Sequence, residues 1–128
     1  MQRPTLLVVD DDDDIRETLS AVLREEGFVV VTAANGQEAL ERLEESATPR
    51  VVLLDMMMPV KSGWQVLAHL DETPSLASRV RVVVITAASP DKLRAIRGRV
   101  EGIVRKPFEM GSLLDTVHVV AGRAQQSC

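Results

Sequence analysis

The sequence predicts an α/β domain, a doubly wound, five-stranded parallel sheet with five helices. Five short β-branched runs recur along the chain with little polar interruption, the pattern of strands buried on both faces. Segments with apolar residues at helical spacing separate them. The chain is 128 residues long, 45% apolar and 27% charged, which suits one domain with one sizeable core.

The first run is TLLVV, residues 5–9. The helix after it carries Ile15, Leu19, Val22 and Leu23 at i, i+4, i+7 and i+8, and Gly27 stands where a left-handed C-terminal residue is wanted. FVVVT, 28–32, is the second strand, and Asn35 with Glu38 opens the next helix. VVLL, 51–54, is the third, followed by a helix that Ser62 and Gln65 can cap. VRVVVIT, 80–86, is the fourth, and Ser89 before Pro90 starts another helix. GIV, 102–104, is the fifth, and Met110, Leu113, Leu114, Val117 and Ala121 form the last apolar stripe. Five strand-helix units in a row make a parallel sheet with crossover helices. The expectation is one domain over 1–128, with its core at about 5–122 and a tail at 123–128.

Composition excludes several function classes. Aromatics are 2% of the chain (Phe28, Trp64 and Phe108), too few to stack nucleobases. The net charge of -4 gives no general attraction to nucleic acid or anionic membrane. No signal-peptide pattern opens the sequence, and no apolar run nears the roughly 18 residues of a membrane span. The single cysteine, Cys128, allows no internal disulfide, which fits a reducing, cytoplasmic setting.

In a doubly wound sheet the site lies beyond the carboxyl ends of the strands. Strand one ends in Asp10 and Asp11, strand three in Asp55, strand four in Thr86 and Ala87, and strand five leads into Lys106. Strand two ends in TAANG, with nothing ionisable at its tip. Three carboxylates, a hydroxyl and an ammonium therefore meet at one rim. At about 6 Å and an effective dielectric near 20, each carboxylate pair repels by about 3 kcal/mol. A divalent cation offsets that, and oxygen ligands without Cys or His suit Mg²⁺. A carboxylate beside Mg²⁺ can attack phosphorus to form an aspartyl-phosphate, and Lys106 and Thr86 are the right groups for phosphoryl oxygens.

LLVVDDDDDIRETL, LLDMMMPVKSGWQVL, VVVITA and RKPF, in that order and spacing, closely resemble the receiver domain of two-component response regulators. The resemblance covers roughly residues 5–122. It implies strand order 2-1-3-4-5, the order of the flavodoxin-like folds. It implies Asp55 as phosphoacceptor, taking its phosphoryl group from a histidine kinase or histidine phosphotransfer protein. It also implies Mg²⁺ bound by Asp11, Asp55 and the Met57 carbonyl, with Asp10 holding the metal's water shell. Thr86 with Ala87, and Lys106, would bind phosphoryl oxygens, and the Lys106–Pro107 bond would be cis. On this reading the chain catalyses its own phosphorylation and dephosphorylation, turns over no outside substrate, and binds neither nucleic acid nor membrane.

The five aspartates then divide. Asp10 and Asp11 are the chemical pair, Asp12 caps the first helix, and Asp13 and Asp14 favour its dipole. A second reading takes the Asp-x-Asp of VVDDDDD as that of a haloacid dehalogenase-type phosphohydrolase, with Asp10 as nucleophile and Asp12 as acid/base; it leaves LLDMMMP unexplained. A third keeps the fold as a phosphate-independent binding module, against the intact acidic triad. Met56 to Met58 read as packing and loop rather than metal ligands. His69 and His118 have no second ligand at i+4. Lys92, Arg94, Arg97, Arg99 and Arg105 read as a solvated basic face, with contact to a partner as the sharper alternative.

Two departures from the family pattern touch the activation switch. Ile103 stands where strand five normally carries an aromatic, and the segment from Thr86 to Lys106 lacks the common Gly-Ala turn and is a little short. The positions two after the phosphoacceptor and two after the hydroxyl, which in the family flank the path of hydrolytic water, are Met57 and Ala88. Neither side chain hydrogen-bonds a water, which predicts slow self-dephosphorylation.

Overall fold

The computed structural model describes residues 4–45 and 50–126. Cys128 and the outer ends of the expected 1–128 domain lie outside the described residues. Five strands, β1 (Thr5–Val9), β2 (Val30–Ala33), β3 (Arg50–Asp55), β4 (Val80–Thr86) and β5 (Gly102–Arg105), form one parallel sheet in the order β2-β1-β3-β4-β5. The helices are α1 (Asp13–Glu25), α2 (Gly36–Glu44), α3 (Gly63–Glu72), α4 (Pro74–Ala77), α5 (Pro90–Leu93) and α6 (Met110–Gln126), with a 3₁₀ turn at Arg94–Ile96.

Alternation along each strand builds two cores. Leu7, Val9, Val52, Leu54, Val82 and Val84 face one side and pack with Leu40, Val66, Leu67 and Leu93 from α2, α3 and α5. Leu6, Val8, Val51, Leu53, Val83 and Ile85 face the other and meet Leu19 and Leu23 of α1 and Leu113 and Val117 of α6. Both faces of the sheet are thus dry, which is why the strands read as continuous apolar runs. The helix starts follow their local chemistry. The Asp12 carboxylate accepts the amides of Asp14 and Ile15, Asn35 accepts that of Glu38, and Ser62 with Gln65 forms a complete capping box. Gly27 takes a φ of 93° after α1.

Beyond one-residue shifts at strand ends, three features differ from expectation. The second strand begins at Val30 rather than residue 28. Phe28 instead closes α1, its amide donating to the Leu23 carbonyl at 3.2 Å, and its buried ring lies 5.3 Å from that of His118. A sixth helix exists because Thr73-Pro74 starts a fresh turn directly after α3, with proline at its first position. The helix after β4 shrinks to one α-turn plus the 3₁₀ turn, the structural form of the short Thr86-to-Lys106 segment.

Candidate functional site

The carboxyl ends of β1, β3, β4 and β5 converge. Asp10, one residue beyond β1, is 2% exposed, and Asp55, the last residue of β3, is 4% exposed. Asp11 is exposed beside them, and carboxylate oxygens of Asp10, Asp11 and Asp55 all lie within 4.8 Å of one another. Lys106 reaches in from the end of β5. Its Nζ lies 2.9 Å from Asp10 Oδ2 and 3.4 Å from Asp55 Oδ2. The Lys106–Pro107 peptide bond is cis. Thr86 is fully buried, and its Oγ1 accepts the Ala88 amide at 3.0 Å, so the hydroxyl proton remains available to donate.

The two buried acids are each held by a backbone amide. Asp10 Oδ1 accepts the Asp12 amide at 2.9 Å, and Asp55 Oδ1 accepts the Met57 amide at 3.1 Å. Burial pushes the Asp55 carboxyl above the usual carboxylate range, against the Met57 amide and the Lys106 charge, while the Asp10 charge adds to the rise. Burial also works against the Lys106 ammonium, but the hydrogen bond and charge of Asp10, followed by those of Asp55, outweigh it and raise its pKa. One ammonium thus spans two nearly buried carboxylates, and a third carboxylate stands at the edge. This all-oxygen acidic donor set fits a hard divalent cation that keeps part of its water shell, as Mg²⁺ does.

The loop from β3 to α3 is tightly fixed. Met56 is fully buried and Met57 is 55% exposed, so the methionine run divides into packing and loop. Gly63 donates to the Met56 carbonyl at 3.2 Å. A Cβ on Gly63 would fall 2.6 Å from Met56 Sδ and 2.8 Å from the Asp55 carbonyl, so only glycine allows α3 to start this close to the phosphoacceptor candidate. Lys61 donates to the Pro59 carbonyl at 2.8 Å across Val60, whose φ is 67°. An i to i+2 bond over a β-branched residue at positive φ is a strained turn.

Ala88 packs its methyl into the core, so of the two water-path positions only Met57 presents its side chain to solvent. Ile103 is half-buried and borders an open groove of about 420 Å³ lined also by Leu93, Arg97 and Arg105. In the basic stretch, Arg99 is paired with Asp71 and Arg94 with Asp91. His69 and His118 face Glu44 and Glu26, away from the acidic cluster. Asp12 serves as the cap of α1, its Oδ1 accepting two amides, and is not among the clustered acids Asp10, Asp11 and Asp55, which does not favour the dehalogenase-type reading. Sequence reasoning missed Arg16, whose Nη1 donates to the Asp10 carbonyl at 2.8 Å and steadies the end of β1. Its spacing of six from Asp10 belongs to no motif, so only the fold reveals the contact.

Comparison with known proteins agrees with this geometry. The family model for the response regulator receiver domain matches residues 6–118. A CpxR homolog named as a transcriptional regulatory protein in Haemophilus influenzae is 36% identical over 93% of this chain and 51% of its own length. The phosphate regulon transcriptional regulatory protein PhoB of Escherichia coli is 33% identical over 92% of this chain and 52% of its own. The chain therefore spans about half the length of these curated relatives. Among solved structures, a CheY-like receiver domain protein of Methanospirillum hungatei matches with a TM-score of 0.85 and 27% identity, covering 98% of this chain and 99% of that one. The response regulator TrrA of Thermotoga maritima, solved with Mg²⁺ and BeF, matches with a TM-score of 0.76 and 31% identity, over 91% and 98% of the two chains. Fold, strand-end chemistry and family model agree: the chain belongs to the response regulator receiver domain family of two-component signalling.

Proposed function

We propose that Asp55 accepts a phosphoryl group from a histidine of a partner kinase or phosphotransfer protein, in a cytoplasmic phosphorelay. The observation that carries this reading is one nearly buried carboxylate at a strand end, flanked by two more and bridged by a lysine. An Asp55 carboxylate oxygen forms the new bond to phosphorus. The phosphorus–nitrogen bond of the donor breaks, and the imidazole leaves with that electron pair and takes up a proton. Lys106 and the Thr86 hydroxyl, with Ala87 beside it, hold the transferred oxygens, and positioning supplies most of the rate. Asp11, Asp55 and the Met57 carbonyl would hold Mg²⁺, with Asp10 on its water shell, and the ion would supply charge neutralisation to the phosphoryl oxygens.

The chain acts on itself alone and has no outside substrate to turn over. Its phosphoryl state is the signal, read by a protein target. No helix among the described residues is long and apolar enough to cross a membrane. The transcriptional role in the names of its relatives belongs to proteins about twice this length. Transfer from a radiolabelled phosphohistidine protein tests the reading. Label should pass to this chain with Mg²⁺ and stop with EDTA; transfer that ignores EDTA would count against it.

A further inference from the structure

Gly36 opens α2 after β2, the one strand whose end delivers no ionisable group to the rim. Yet its amide donates to the Lys61 carbonyl at 2.9 Å, in the loop that follows Asp55. The two backbones meet without room for a side chain. A Cβ on Gly36 would lie 2.3 Å from Lys61 O, 2.9 Å from Lys61 C and 2.9 Å from Val66 Cγ2. The Lys61 atoms belong to the backbone and cannot rotate away, so any other residue must move the loop or α2.

The loop so held is short and strained. It runs from Met57, whose amide binds Asp55 Oδ1, through the Val60 turn with φ 67° to the Ser62 cap of α3. Both its ends are fixed, by Met57 on Asp55 and by Gly63 on Met56. Lys61, just before the Ser62 cap, is the point where the loop is tied to another element. Without that tie, the chain has a direct way to relieve the positive φ at Val60, and the path from Met57 onward changes with it.

We propose that Gly36 is a positioning residue for the Asp55 site: its amide and its missing side chain fix the β3–α3 loop through Lys61, and so set where the Met57 backbone stands beside Asp55. This rests on the proposed reading of Asp55, Met57 and Mg²⁺. Coupling between an anchor and a binding site is reciprocal. If the anchored loop favours the metal, the metal must tighten the anchor.

Two measurements on the full chain test this. In wild-type protein, amide hydrogen exchange at Gly36 should slow at least threefold on saturation with Mg²⁺. In Gly36→Ala, calorimetric Mg²⁺ affinity should fall at least fivefold. The double variant Gly36→Ala with Val66→Ala should stay weak, because it frees only the side-chain collision. Gly111→Ala, where a Cβ meets nothing within 4 Å, should bind as wild type does. Gly36→Ala binding Mg²⁺ like wild type, restoration by Val66→Ala, or a Gly36 exchange rate indifferent to Mg²⁺ would each overturn the proposal. If Gly36→Ala does not fold, the wild-type exchange measurement decides. Wild-type protein that binds no Mg²⁺ sinks the site reading along with it, whereas normal wild-type binding and an unaffected variant sink this inference alone.

Discussion

Lys106 Nζ sits closer to Asp10 than to Asp55, 2.9 Å against 3.4 Å. One ammonium therefore offsets only one of the pair's two charges before any phosphoryl group arrives, and its shorter contact is with the acid that is not the phosphoacceptor candidate. Lys106→Met leaves two nearly buried carboxylates facing each other. Breaking a buried pair is costly, and partial solvation of this one reduces the loss to about 2 kcal/mol. Urea unfolding in EDTA should show that loss, Mg²⁺ should recover part of it, and phosphorylation should slow at least tenfold. Unchanged stability in EDTA would contradict this arrangement of charge.

Asp55→Asn should be more stable than wild type at neutral pH and should accept no phosphoryl group. The sign follows from the raised Asp55 pKa, which burial causes first. The folded state holds the proton more tightly than the unfolded chain does. The stabilising contribution is thus complete below the unfolded carboxylate value and is lost as pH rises through the folded one. Wild type should fall behind Asp55→Asn across that window and run parallel to it above. Thermal unfolding of both proteins in EDTA from pH 3.5 to 7 checks this, and a stability gap that closes as pH rises would refute it.

Ile103 lies beside an open groove rather than filling it, and β-branching restricts its rotamers. Phosphorylation should produce a muted rearrangement at Ile103, with larger changes in the Ala87–Ile96 segment that follows Thr86. Amide exchange with and without a phosphate mimic tests this. Large changes centred on β5, with a quiet α5, would oppose it.

The phosphoryl group should be long-lived. Met57 stands exposed beside Asp55 with an apolar side chain that cannot position a water, and the buried Ala88 methyl offers no polar group either. Met57→Asn should speed decay of the phosphorylated protein several-fold. Ala88→Glu should speed it too if the protein tolerates a carboxylate in place of a buried methyl. Decay unmoved by Met57→Asn would show that this side chain does not control water access.

Much of this was legible in the sequence because a doubly wound sheet turns strand ends into addresses. Asp10, Asp55, Thr86 and Lys106 each follow an apolar run, and the parallel order brings those ends together. Asp12, Asn35 and Ser62 were readable because capping is a contact over two or three residues. Phe28 was not: β-propensity placed it in a strand, while its burial against α6 is a tertiary fact. The turn at Pro74 was hidden because its helix is a single turn. Gly36 and Arg16 act over contacts that only the folded chain creates, the first with Lys61 and the second with the Asp10 carbonyl.

Locating the acyl-phosphate tests the central claim most directly. The chain is incubated with Mg²⁺ and a small phosphodonor, the product is trapped, and the modified residue is mapped by mass spectrometry. One phosphoryl group on Asp55, absent in Asp55→Asn, is the predicted result. Label on Asp10 with continuing turnover of the donor, or no label on any carboxylate, would contradict it.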